Sequence, residues 1–165
     1  LFDKSVAGIF FACFSVGSFP GTLFNSIIGP TFVREKIKIS NVLKGIFLIF
    51  FVFLLSLFFK NIIDLSNSNI INLKSLEFVL TTISISLIGS YFMSYAMFLR
   101  HVELQKDEKK RKLLFRTDII YGSSITILIP LLFYTLGALG VSFSFFLASM
   151  TAFIFYSTIN KNFNN

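Results

Sequence analysis

Four long stretches of this 165-residue chain carry no charged side chain: residues 6–33, 45–59, 78–99 and 119–160. All 15 Lys and Arg and all 8 Asp and Glu lie between or beyond them. An ionised group at the centre of a bilayer costs about 3 kcal/mol, so a chain that crosses one clears its spans of charge. A soluble domain of this length could not cover the apolar surface implied by 55% hydrophobic residues and a mean hydropathy of +0.79. These features predict an all-α integral membrane protein. A spanning helix needs roughly 20 residues, so the chain has room for a single bundle of about five helices. The expected spans are 6–33, 42–63, 76–99, 115–134 and 141–158.

The polar residues of the first span are not scattered. Gly8, Ala12, Ser15, Ser18, Thr22, Asn25 and Gly29 recur every three or four positions and form one helical stripe. That stripe is expected to face protein or a water-filled cavity, with Phe10, Phe14, Ile27 and Ile28 toward lipid. Ser15, Ser18, Thr22 and Asn25 are the candidate lining of a substrate passage, because hydroxyls and amides suit a neutral sugar. Helix packing is the competing explanation of the same stripe. Pro20 removes a backbone donor and is expected to kink the span.

The second span is apolar nearly all round and reads as lipid-facing, with Lys44 and Lys60 snorkelling at its ends. The third carries Thr82, Ser86, Gly89, Ser90 and Ser94 as a small polar side for helix contact, and Tyr91 and Tyr95 toward its charged end. Pro130 falls near the far end of the fourth span. Residues 135–140 read as a tight glycine turn. Gly140, Ser144 and Ala148, four apart, form a close-packing stripe on the fifth.

Loop charge sets an orientation. Arg34, Lys36, Lys38 and Lys44 follow span one, but only Lys60 and Lys74 follow span two. Arg100, Lys106, Lys109, Lys110, Arg111, Lys112 and Arg116 follow span three, and no basic residue follows span four. The positive-inside rule then puts the first and third loops in the cytoplasm, the N-terminus outside and the C-terminus inside. The same distribution accounts for the net charge of +7 without nucleic acid. Residues 106–112 are basic enough to attract anionic lipid headgroups at about 1 kcal/mol per cation.

No metal cluster, nucleophile triad, phosphate loop or carboxylate pair is visible, so no cofactor and no enzymatic activity are expected. Cys13 reads as a small packed thiol and His101 as a solvated interfacial residue. Asp118 and Arg116 stand at the start of span four as possible cavity-edge charges. Asp118 is expected either to pair with Arg116 or to sit as an interfacial acid favoured by the helix dipole.

The segment SVAGIFFACFSVGSFPGTLFNSIIGPTFVRE resembles a recurring segment of the polysaccharide flippases, within the multidrug, oligosaccharidyl-lipid and polysaccharide exporter superfamily. Gly8-Ile9-Phe10, Phe19-Pro20 and Gly29-Pro30 occupy the places of the family's helix start, internal break and closing proline. YTLGALGVSFSFFLASMTAFIFY resembles the closing helix, with its turn at 137–140. The resemblance follows the order of the spans and of the basic loops. It implies a C-terminal part of an O-antigen-type flippase with roughly twelve or more helices in two lobes. Such a protein moves undecaprenyl-diphosphate-linked oligosaccharide across the bacterial inner membrane by alternating access. Membrane lipids and polysaccharide assembly proteins are the implied partners. A piece starting inside the second lobe would begin outside and end inside, and would begin at Leu1 rather than Met. Open rivals are a drug or cation exporter of the same superfamily, a membrane enzyme of polysaccharide assembly, and a structural remnant.

Overall fold

The computed structural model describes residues 4–32, 44–45, 47–48, 50–52, 55, 73–103 and 108–162. Helix α1 is Lys4–Phe32 and α2 is Leu73–Phe98, which runs into a π turn, Leu99–Glu103. Helix α3 is Glu108–Leu136 and α4 is Ala138–Asn162. Among the described residues every regular element is helical. Four helices are long and apolar enough to cross a membrane: Val6–Ser26, Glu77–His101, Lys112–Leu136 and Ala138–Ile159.

α2 is the centre of the bundle, with α1 on one side and α4 on the other, while α3 packs on α4. Small residues decide these contacts. A Cβ on Gly17 would stand 2.6 Å from the Ile83 carbonyl and 2.7 Å from Ser86 Cβ. One on Gly21 would stand 2.1 Å from Ser90 Oγ. The two helices therefore touch backbone to backbone along Gly17 and Gly21. On the other side of α2, Gly89 lies under Phe145 and Phe146, and Ser86 Oγ donates to Ser142 Oγ at 3.3 Å. Thr82, Ser86, Gly89, Ser90 and Ser94 are all buried, as their pattern predicts. Gly140, Ser144 and Ala148 are buried as well. Aromatic rings fill the remaining seams. Phe92 lies 5.4 Å from Phe153, and Tyr95 meets Phe153 edge-on at 5.4 Å.

Helix directions follow from these pairs. Gly17 meets Ser86 and Gly21 meets Ser90, so α1 and α2 run parallel. Ser86 meets Ser142 and Phe92 meets Phe153, so α2 and α4 run parallel too. α3 returns antiparallel through the turn at Gly137, whose φ of +60° favours glycine. Gly140 closes that turn. Its amide donates to the Gly137 carbonyl at 3.0 Å, and a Cβ there would stand 2.0 Å from the Leu132 carbonyl. Residues 33–72 connect α1 to α2. The second span was expected there, and most of it lies outside the described residues. Its described part corrects the all-round lipid face. Phe47 is buried with Phe24 and Leu87 and meets Tyr91 edge-on at 5.1 Å, whereas Leu48, Phe51, Val52 and Leu55 are exposed.

α1 also turns a different face inward from the one its polar stripe predicts. Phe10, Cys13, Gly17, Gly21 and Phe24 are buried. Phe10 is only 5% exposed, and Phe14 meets Phe145 of α4 edge-on at 5.3 Å. The lipid-facing expectation for these two rings is overturned, because the close approach through the glycines brings their side of α1 against α2 and α4. The side chains of Ile27 and Ile28 lie outside the described residues. α1 continues helically through Pro20, which is buried. Proline offers no amide proton, and the next amide, that of Gly21, donates to Ser90 Oγ at 3.1 Å.

Candidate functional site

Two clefts open along one side of α2. The one lying farther along α2 from Arg100, about 270 Å³, is walled by Ser18, Thr22 and Asn25 of α1, Ser90, Met93 and Ser94 of α2, and the rings of Phe14 and Phe145. Three of the four residues of the sequence-predicted passage thus meet at one cleft. Ser15 is exposed and lies outside its wall. The stripe is not the face that α1 packs on α2: Thr22 and Asn25 are exposed while the neighbouring glycine face is buried. Ser90 ties the wall together: its hydroxyl donates to the Ser18 carbonyl at 3.1 Å and accepts from Gly21. Interhelical hydrogen bonds of this kind average about 0.6 kcal/mol in membranes, so the glycine contact contributes more to holding α1 in place.

The second cleft, about 260 Å³, lies nearer the end of α2 and is lined by Met93, Met97, Arg100, Asp118, Tyr121, Ala152 and Tyr156. Here Asp118 meets a partner the sequence reading missed. Arg100 Nη2 donates to Asp118 Oδ2 at 2.8 Å and Nε donates to Oδ1 at 3.1 Å. Tyr156 Oη donates to the same Oδ1. Three helical segments, the π turn, α3 and α4, are joined at one carboxylate. The expected Asp118–Arg116 pairing is corrected. Arg116 is exposed and borders neither cleft, because two residues along a helix point to different sides. His101, beside Arg100, is exposed as expected.

The pair is 27% and 36% exposed on its two side chains, and that exposure opens on the cleft. A bidentate Arg–carboxylate bond, with a phenol donating a further bond to Oδ1, satisfies both charges within otherwise apolar spans. The π turn that carries Arg100 is a form often found at functional positions. Sequence signals for this arrangement existed. Arg100 is the first charge after a long neutral span and Asp118 the last before the next, so an antiparallel pair of helices brings them to the same level. The glycines four apart at 17 and 21 were likewise a readable close-contact motif.

The chain matches no family model, and no curated protein or solved structure is significantly similar to it.

Proposed function

We propose that this chain is a C-terminal part of a polysaccharide flippase, which carries undecaprenyl-diphosphate-linked oligosaccharide across a bacterial inner membrane. The observation that carries the reading is the cleft farther from Arg100. Ser18, Thr22 and Asn25 present hydroxyls and an amide to open space within helices long enough to span a bilayer. The helix directions also agree with the loop charges: α1, α2 and α4 descend toward basic or C-terminal segments and α3 returns. In this reading the N-terminus is outside, the C-terminus is cytoplasmic, and membrane lipids and polysaccharide assembly proteins are the partners. Asp118 gives the cation-exporter rival a foothold. Yet its carboxylate is already neutralised by Arg100 and held by Tyr156, so a cation would have to displace a bidentate bond.

Two experiments test this reading. In a Cys13→Ser background, a cysteine at Asn67 should react with an impermeant thiol reagent in intact cells and one at Lys109 should not. Equal reaction at both would overturn the orientation. Asn25→Leu should lower surface polysaccharide without changing protein abundance, because a polar group facing the cleft is lost and no packed contact is. Loss of abundance in step with polysaccharide would assign Asn25 to packing and remove the transport role.

A further inference from the structure

The two clefts share Met93. Ser90, Met93, Met97 and Arg100 recur every three or four residues on α2, so one face of this helix walls both spaces. From Ser90 to Arg100 that face runs about 15 Å, roughly half the hydrocarbon thickness. We propose that the clefts are a single water-filled trough, gated by the Met93 side chain, whose deep end receives uncharged hydroxylated molecules and excludes anions.

The chemistry of the lining carries the second half. At the deep end the hydroxyl protons are already used. Ser18 Oγ donates to the Ser15 carbonyl, Thr22 Oγ1 to the Ser18 carbonyl, and Ser94 Oγ to the Ser90 carbonyl. Ser90 Oγ donates to the Ser18 carbonyl. What these oxygens offer the cleft is lone pairs. A phosphate or carboxylate brings only acceptors, and among the described residues no charged side chain lines the deep cleft. A sugar hydroxyl brings the donor that the serine and threonine oxygens no longer offer, and Asn25 supplies both donor and acceptor. At the mouth, the guanidinium of Arg100 is already bidentate to Asp118, so the charged pair marks a wet entrance and is not a free anion site. Each cleft has room for several waters, at about 30 Å³ each. Met93 stands where they join, and an unbranched thioether can swing aside. The choice of sugar rests on the flippase reading. The trough itself does not.

The test uses single cysteines in the Cys13→Ser protein in its native membrane, with an impermeant methanethiosulfonate applied to each face of vesicles. Cysteines replacing Thr22 and Met97 should react from the face where α2 ends, and one replacing the exposed apolar Ile127 should not. Adding Met93→Trp should reduce reaction at position 22 to the Ile127 level and leave position 97 unchanged, whereas Met93→Ala should speed reaction at 22. Glucose should slow reaction at 22, and inorganic phosphate at equal concentration should not. Silence at 22, or indifference of both sites to residue 93, would overturn the trough. Protection by phosphate in place of glucose would overturn the ligand assignment. If labelling behaves as expected but Asn25→Leu leaves surface polysaccharide intact, the flippase reading fails and the trough stands.

Discussion

Asp118→Leu is expected to destabilise the end of the bundle where α2, α3 and α4 meet, and Arg100→Leu/Asp118→Leu to restore most of the loss. The single change leaves the Arg100 guanidinium without its bidentate acceptor and the Tyr156 hydroxyl without its partner. Removing one member of a fully buried pair costs about 3–5 kcal/mol, and the partial exposure of this pair reduces that to about 2 kcal/mol. Deleting both charges leaves no stranded ion, and the leucines add apolar surface to a cluster that already contains Leu99, Leu114 and Ala152. Thermal unfolding of the detergent-purified protein is the measurement. A double variant as unstable as Asp118→Leu would show that the pair does not act as a unit. Arg116→Leu is the control and should change little, since Arg116 is exposed and the structure gives Arg100 as the partner.

Gly21→Val should separate α1 from α2. The first added carbon would fall 2.1 Å from Ser90 Oγ and 2.7 Å from Ser94 Oγ, and a branched side chain worsens both clashes. Neither serine can retreat freely. Ser94 donates to the Ser90 carbonyl, and Ser90 is bonded to two atoms of α1. Overpacking of this kind costs about 1–3 kcal/mol and here also removes two interhelical hydrogen bonds. The expected result is a loss of folded protein, read as lower abundance in the membrane and earlier unfolding. Gly8→Val should be tolerated, because nothing lies within 4 Å of a Cβ at Gly8. Equal tolerance of the two substitutions would mean that the glycine face is not the contact.

Charge segregation predicts long apolar helices, and the structure describes four of them, although α3 begins at Glu108 rather than at the expected residue 115. The reason is that spanning a bilayer imposes a length and a neutrality on each segment separately, so the information is local. The small faces of α2 and α4 were legible for a related reason: only Gly, Ala, Ser and Thr let backbones approach, so their period marks a contact. The same rule misled on α1, which carries two small stripes. Ser15, Ser18, Thr22 and Asn25 form one, and Gly17 with Gly21 forms the other. The composition of the span does not say which stripe meets a neighbour. That depends on what faces it, and only the fit of Gly17 and Gly21 against the serines of α2 decides it.

Asp118 shows the same division. Its sequence neighbourhood offers Arg116 as a partner, because sequence reading weighs residues nearby in the chain. Its actual partners, Arg100 and Tyr156, stand 18 and 38 residues away and come together only when α2 and α3 both pack against α4. The order of residues alone was enough for a bundle of long apolar helices with charge held to their ends, since both follow from the cost of placing a group in hydrocarbon. Which face of α1 is covered, which carboxylate meets which guanidinium, and that two clefts adjoin at Met93 were decided by tertiary packing, because each depends on the rotation and register of one helix against another, which no single helix encodes.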